Sequence, residues 1–233
     1  MSIRNILKDG AESLGLALSD RALDGFETYC RLLKEKNRVM NLTAITEEDQ
    51  VARLHFLDSL ALLGAADFKD AAVIDVGTGA GFPGLPLKLA EPSISLTLLD
   101  AQRKRVDFLR ETCGALGVEA ECLHARAEEA TDLRERFDLA VSRAVARLSV
   151  LCELCLPFVR PGGAFLAMKS VDSDGETAEA ARALALLGGE VESTVDYPIP
   201  GTDVVHRVLV IRKTAPTPKK YPRRFAKIQK EPL

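Results

Sequence analysis

The sequence lacks any apolar run close to the ~20 residues that a helix needs to cross a bilayer. Its amino terminus also lacks the apolar core of a signal peptide, because Arg4, Lys8 and Asp9 place charges early in the chain. We therefore expect a cytoplasmic protein with no membrane partner. Internal repeats and low-complexity segments are missing as well, and 233 residues suit one α/β domain with an added terminal element.

Paired cysteine motifs are scarce. The five cysteines are an odd number, which argues against a disulfide framework. Cys152 and Cys155 form one CxxC motif, but no second CxxC and no nearby histidine pair completes a zinc site. On a helix this spacing puts both sulfur atoms on one face, where cysteine behaves as a small apolar residue. We predict buried thiols and no metal site.

A glycine loop is the most informative motif that the sequence does contain. Residues 73–84 read VIDVGTGAGFPG, a buried strand followed by a loop and a helix start. Glycine has no Cβ, so such a loop can take positive φ and let a ligand approach its backbone. The next strand ends at Asp100, and an acid about 20 residues after the loop can accept both hydroxyl protons of a ribose. The pattern predicts a nucleoside-containing ligand.

Asp75 favours one ligand of this kind over another. The GxGxxG spelling of residues 79–84 also fits a dinucleotide such as NAD, and it occurs in ordinary strand-to-helix turns. A carboxylate at this strand end would repel a pyrophosphate, whereas it would attract the ammonium and sulfonium groups of S-adenosylmethionine. We predict S-adenosylmethionine, with Asp75, Gly77, Gly79 and Asp100 among its binding residues. An NAD-dependent oxidoreductase stays as an alternative.

The apolar pattern divides the chain into three parts. Residues 1–65 read as a helical extension, in which Ser19 and Thr46 are candidate helix caps. Residues 66–213 alternate between short apolar strands and helices, which predicts a Rossmann-like α/β fold with helices on both faces of a mostly parallel sheet. Residues 214–233 form a basic tail. Strands are expected near 72–76, 95–100, 118–123, 137–142, 163–168, 190–197 and 204–212, and helices near 83–90, 102–116, 146–156 and 176–187. The last two strands are too close for a crossover helix, so they should pair antiparallel and complete seven strands.

Ligands of such sheets bind outside the carboxyl ends of the strands. This rule selects a short group after each of the first five strands: Gly77 to Phe82, Asp100, residues 125–128, Arg143, and Lys169. Phe82 is a candidate for packing on a base, and Glu128 for contact with an adenine edge.

Positive charge is concentrated at the carboxyl end. From Arg212 onward there are eight lysines and arginines and one acid, a formal charge of +7, which leaves −10 on residues 1–211 of a chain at −3 overall. Tyr221 and Phe225 lie among these cations. Such a segment can neutralise phosphates and stack on bases, and it can equally be a solvated terminus.

Several motifs resemble those of one known family. They are NLT at Asn41, HFLDSL at His55, VIDVGTGAGFPG, LLDAQRKRVDFL, ARAEE, SRAVA and YPRR. In this order, and over nearly the whole chain, they resemble the RsmG, or GidB, family of 16S rRNA guanine-N7 methyltransferases. The resemblance implies a class I methyltransferase fold, S-adenosylmethionine as donor, and N7 of a guanine in a conserved loop of 16S rRNA as acceptor. It also implies 16S rRNA or the small ribosomal subunit as partner. By position, the family's cofactor-binding residues correspond to Gly77, Phe82, Ala127, Glu128 and Arg143.

The implied reaction requires no general base. Guanine N7 carries an in-plane lone pair and no proton, so we expect no obligatory catalytic residue. Candidates for positioning the guanine are Lys169, Arg143 and His55. The sequence has no Asn/Asp-Pro-Pro-aromatic segment of amino-methyltransferases and no Pro-Cys nucleophile for a pyrimidine ring. We expect a monomer. A second alternative function is that of a non-catalytic RNA-binding protein that senses the methyl donor.

Overall fold

The amino-terminal third of the chain is helical. The structure, a computed structural model, describes residues 1–143 and 146–233, so that Ala144 and Val145 of the SRAVA motif lie outside the described residues. The first helices are α1 (Ile3–Ser13), α2 (Asp20–Met40), α3 (Glu48–Val51), a π-helical turn (Ala52–Leu57) and α4 (Asp58–Leu60). The HFLDSL motif therefore spans the π turn and α4.

One of the two predicted caps forms. Ser19 precedes α2, and its hydroxyl oxygen accepts the backbone N–H of Ala22 at 3.2 Å. The prediction for Thr46 is wrong, because α3 begins at Glu48 and the capping position is occupied by Glu47, whose side chain makes no capping hydrogen bond.

Seven strands form one sheet in the part of the chain that the structure describes, in the order β3-β2-β1-β4-β5-β7-β6. They are β1 (Ala72–Val76), β2 (Ser95–Asp100), β3 (Ala120–His124), β4 (Phe137–Ser142), β5 (Val159–Ser170), β6 (Gly189–Pro198) and β7 (Val205–Lys213). Strands β1 to β5 are parallel, and β7 pairs antiparallel with both β5 and β6. The predicted mostly parallel seven-stranded sheet with one hairpin is confirmed. Strand order reverses between β1 and β4, which is where ligands of such sheets bind.

The two faces of the sheet carry separate cores, because successive side chains of a strand point to opposite faces. Val73 and Leu98 pack with apolar residues of α1 to α6, whereas Ile74 and Leu99 pack with those of the later helices. The remaining helices are α5 (Gly84–Ala90), α6 (Arg103–Leu116), α7 (Leu148–Cys155), α8 (Asp174–Glu179), α9 (Ala181–Leu187) and α10 (Phe225–Lys230). The predicted helix at 176–187 is thus two helices that meet at Ala180.

The carboxyl-terminal residues pack against the body of the protein. Arg134 donates hydrogen bonds to the backbone carbonyls of Thr217, Pro218 and Tyr221. Tyr221 is buried, and so is Ile228 of α10. The ring of Tyr221 is therefore not exposed for stacking on a base, contrary to the sequence-based hypothesis for this residue.

The predicted burial of the cysteines agrees with the structure. Cys152 and Cys155 lie on one buried face of α7, and the cysteines of the described residues are free thiols. Burial raises the pKa of both thiols well above the usual value, which keeps them protonated.

None of the helices described is long and apolar enough to cross a membrane. Residues 1–143 and 146–233 contain no group of three His, Cys, Asp or Glu side chains arranged to hold a metal ion.

Candidate functional site

Asp75 fixes the glycine loop from inside. Its Oδ2 accepts the hydroxyl of Thr78 at 2.7 Å and the backbone N–H of Gly84 at 2.8 Å. Its Oδ1 has no hydrogen-bond partner among the described residues, and burial raises the pKa of this carboxyl to about 7. A Cβ on Gly84 would lie 2.8–3.0 Å from the side chains of Leu98 and Asp75, so glycine is needed here for close packing. Asp75 is fully buried, and it shapes the loop rather than a cavity wall.

Asp100 ties this loop to the end of β2. One carboxylate oxygen accepts the backbone N–H of Gly79 at 2.9 Å, and the other accepts that of Gln102 at 2.8 Å. Arg105 lies 3.6 Å from the first oxygen. A carboxylate has about four lone-pair sites, so these bonds leave acceptor capacity for ribose hydroxyls.

A cavity of about 770 Å³ opens beside Asp100, at the carboxyl ends of β1 to β4. Gly77 lies on its wall with a φ of 72°, where an added Cβ would meet open space among the described residues. Leu99, Ala101, Ala127 and Glu128 continue this wall. The volume lies in the range of small-molecule sites, and the lining combines Gly77 and mainly apolar side chains with Glu128 and the cations Arg126, Arg147 and Lys230. These residues fit a nucleoside with a charged tail.

The predicted cofactor residues divide into three groups. Gly77, Ala127 and Glu128 line the 770 Å³ cavity. Gly79 and Asp100 lie directly behind its wall, and Asp75 lies deeper in the sheet. Phe82 and Arg143 lie together in a polar cluster next to the cavity.

A second cavity of about 470 Å³ adjoins the first, and the two share Ala146 and Arg147. Its other lining residues are Arg143, Met168, Lys169, Ser170, Glu176 and His206. Arginine, lysine and histidine residues therefore line a space that opens beside the first cavity. Such a lining fits an anionic or carbonyl-bearing ligand.

Arg143 is the centre of the polar cluster. Its Nη1 donates to Asp58 Oδ2 at 3.0 Å and to the carbonyl of Leu54 at 3.1 Å, and its Nη2 donates to His55 Nδ1 at 3.1 Å. Its guanidinium carbon lies 4.8 Å from the ring centroid of Phe82. The HFLDSL motif and the end of β4 are therefore joined through one guanidinium.

His55 is neutral in this arrangement. A guanidinium only donates, so Nδ1 accepts from Arg143 and Nε2–H donates to the hydroxyl of Thr43 at 2.7 Å. The ring also stacks on Phe82, with centroids 4.5 Å apart. Burial, together with the positive charge of Arg143, lowers the pKa of His55 to about 4. His55 thus contacts Thr43, Arg143 and Phe82 at once.

Replacing His55 should change how stability depends on pH. Unfolded His55 takes up a proton near pH 6.5, whereas the folded residue stays neutral down to about pH 4. Below pH 6.5 the unfolded state therefore binds more protons, and the wild type loses stability that a His55→Gln variant does not lose. We expect the difference in free energy of unfolding between wild type and variant to fall by up to about 3 kcal/mol from pH 7.5 to pH 4.

Urea unfolding of both proteins across this range measures that difference. The raised pKa of Asp75 has the opposite effect on stability, but it is common to both proteins and cancels in the comparison. A difference that stays constant with pH would contradict the neutral assignment.

Asp58 connects the cluster to the last strands. Its Oδ1 accepts the hydroxyl of Tyr197 at 3.0 Å and a hydrogen bond from His206 Nδ1 at 2.8 Å. The carboxylate of Asp58 raises the pKa of His206. Sequence reasoning missed Tyr197 and His206, since they lie on β6 and β7 and no local motif marks them.

Lys169 is held inside the second cavity. Its Nζ lies 2.7 Å from Glu176 Oε2 and donates to the carbonyl of Ala146 at 2.6 Å. Glu176 also accepts the backbone N–H of Leu148, at the start of α7. The side chain of Lys169 is 8 % exposed, so its charge is fixed beside the residues that both cavities share.

Comparison with known proteins decides the family. Residues 22–200 match the GidB family model, described as rRNA small subunit methyltransferase G. The chain belongs to the GidB family. Two similar proteins are named ribosomal RNA small subunit methyltransferase G. The one from Alkaliphilus oremlandii is 46 % identical to this chain over the full length of both. The one from Acetivibrio thermocellus is 44 % identical over all of this chain and 98 % of that one. As a member of this methyltransferase family, the protein uses S-adenosylmethionine as its methyl donor.

The fold of this GidB-family chain also occurs in more distant enzymes. The solved structure of the mitomycin 7-O-methyltransferase MmcR is similar with a TM-score of 0.58 and 18 % identity, over 83 % of this chain and 68 % of that one. This likeness shows the class I methyltransferase fold, whose sheet and helices on both faces are seen here.

Proposed function

We propose that this chain transfers a methyl group from S-adenosylmethionine to N7 of a guanine in 16S rRNA, naked or within the small ribosomal subunit. The observation that carries the proposal is the adjacency of two cavities that share Ala146 and Arg147. The first is lined by Gly77 and mainly apolar side chains, and the second includes Arg143, Lys169 and His206 in its lining. A donor in the first would lie beside an acceptor in the second. Family membership supports the choice of rRNA.

The proposed binding of the methyl donor is based on residues in and behind the wall of the first cavity. S-adenosylmethionine supplies an electrophilic methyl group on a sulfonium. Gly77 would let the ligand approach the backbone, and Asp100, behind the wall, would accept the ribose hydroxyls. Ala127 and Glu128 would contact the adenine edge. The buried carboxyl of Asp75 keeps the loop in the shape that this contact requires.

The acceptor side rests on the second cavity. Guanine presents N7 and O6 as neighbouring acceptors, so a donor to O6 holds the base while N7 stays free. Lys169 is suited to this part, and Arg143 and Arg147 are suited to a phosphate of the extruded nucleotide. His55 acts through Arg143 and moves no proton, because it is neutral and both ring nitrogens are hydrogen-bonded.

In this proposal the rate enhancement comes from positioning the methyl donor and the guanine. N7 has no proton to remove, so neither a general base nor a metal-bound hydroxide is needed. Fixing two reactants in line contributes up to about 7–11 kcal/mol by analogy with intramolecular reactions. We further infer that the protein acts as a monomer in the cytoplasm.

Transfer of labelled methyl groups tests the proposal. We expect tritium from labelled S-adenosylmethionine to enter small-subunit rRNA, and nuclease digestion to yield labelled 7-methylguanosine. The same RNA with 7-deazaguanine at the mapped position should accept no label there, because a carbon replaces N7. Label in any other nucleoside would contradict guanine N7 as the acceptor.

The same preparation separates the two alternatives. S-adenosylhomocysteine should raise the melting temperature and NAD should not, since only a ligand that binds the folded state stabilises it. Stabilisation by NAD alone would favour an oxidoreductase. Binding of both RNA and donor without transfer would favour a sensor.

A further inference from the structure

The last helix of the chain lines the larger cavity. Phe225, Gln229 and Lys230 of α10, with Pro232 after it, line this cavity together with Gly77 and residues 125–128. The guanidinium of Arg126 lies 5.9 Å from the ring centroid of Phe225. The aromatic ring therefore lies near the side chain of Arg126, the residue that precedes Ala127 and Glu128, which we assign to the adenine edge.

This segment is held on the body by a buried ion pair. Glu153 of α7 is fully buried, and its two oxygens accept Nε and Nη2 of Arg223 at 2.8 and 2.6 Å and the backbone N–H of Arg223 at 2.9 Å. Ile228 is also fully buried, on the side of α10 that faces the protein. Two anchors therefore set the position of Phe225, which itself is half-buried at the cavity.

Other cations near the carboxyl end also form contacts within the fold. Arg212 pairs with Glu192 at 2.7 Å, and Lys213 is fully buried, where it donates to the carbonyls of Leu156 and Leu187. With Arg223, three of the eight cations counted in the sequence are engaged within the fold. The tail thus has a structural part besides any contact with RNA.

We infer that the carboxyl-terminal segment completes the methyl-donor site, with Phe225 packing against the nucleoside half of the cofactor. The inference rests on the proposed function, because the nature of the ligand comes from it. An aromatic ring adds apolar contact to a purine, and stacked or tilted geometries of such rings are favourable. With residues of α10 in its lining, the cavity would cover more of the ligand than the strand ends and loops alone.

Titration calorimetry with S-adenosylhomocysteine tests the inference. Phe225→Ala should weaken binding about tenfold, and Phe225→Leu should restore part of the loss because it keeps apolar area. The matched control is Lys227→Ala, an exposed residue of the same helix that does not line the cavity, and its affinity should equal that of the wild type. The melting temperature without ligand should be unchanged in Phe225→Ala.

A shorter ligand locates the contact. Methylthioadenosine keeps the nucleoside and lacks the amino-acid end, so Phe225→Ala should weaken its binding by the same factor. A smaller loss for methylthioadenosine would move Phe225 to the amino-acid end and overturn the assignment. Unchanged affinity for S-adenosylhomocysteine in Phe225→Ala would overturn the inference while leaving the proposed function intact. Absence of binding by the wild type would instead overturn the proposed function.

Discussion

Asp100→Ala should weaken the binding of S-adenosylhomocysteine by about 10- to 150-fold, the factor that corresponds to losing hydrogen bonds to a charged group. Asp100 stands in the sequence between the lining residues Leu99 and Ala101, and its carboxylate accepts the backbone N–H groups of Gly79 and Gln102. The substitution removes the acceptor for the ribose and also a bond that fixes the loop. Isothermal titration at constant salt measures the combined loss.

A ligand without the ribose 2′ hydroxyl separates these two effects. If Asp100 binds the ribose, removing the hydroxyl from the ligand and the carboxylate from the protein should be strongly non-additive, because both remove the same interaction. Additive losses would show that Asp100 acts only through the loop. Asp100→Asn should give an intermediate affinity, since it keeps one oxygen acceptor and loses the charge.

Arg223→Ala should lower the free energy of unfolding by about 3–5 kcal/mol, because it leaves the fully buried carboxylate of Glu153 without its counter-charge. The backbone N–H of Arg223 remains as a donor but carries no charge. Urea denaturation at neutral pH measures the change. The same variant should also weaken S-adenosylhomocysteine binding, since it releases the segment that carries Phe225.

The double variant Glu153→Gln/Arg223→Leu is the control for this effect. It removes both charges and keeps an oxygen for the backbone N–H, so it should recover most of the lost stability. Arg31→Ala removes one member of an exposed pair with Glu35 on α2 and should change stability little. Equal losses in Arg223→Ala and Arg31→Ala would contradict the argument from burial.

Much of the fold could be predicted from local patterns. The bounds of β1 and β2 agree with the expected ranges, because short apolar runs ended by a glycine loop or an acid are strong local signals. Predictions were weaker where tertiary packing overrides local preference. β5 begins at Val159, several residues before the apolar run suggests, and α8 and α9 divide at a buried alanine.

Only part of the candidate site could be predicted from local sequence patterns. The loop and the strand ends come from one stretch of sequence each, and the structure puts Gly77, Ala127 and Glu128 on one cavity wall. Asp75 has a strand-end position in the sequence, but only packing shows that its carboxylate points to Thr78 and Gly84. Its predicted contact with the cofactor stays a prediction.

By itself, the sequence determined the class of fold, the nucleoside loop and the family, since each depends on residues close together in the chain. Only the tertiary structure decided which distant residues meet. Asp58 joins Arg143, Tyr197 and His206, and Glu153 joins Arg223, across separations of 70 residues or more. The physical reason is that a charge is costly to bury without a partner, and the fold brings in that partner from a distant part of the chain. A local sequence pattern does not show which residue it is. The glycine loop indicates a ligand, but part of the lining of its cavity comes from α10, near the other end of the sequence.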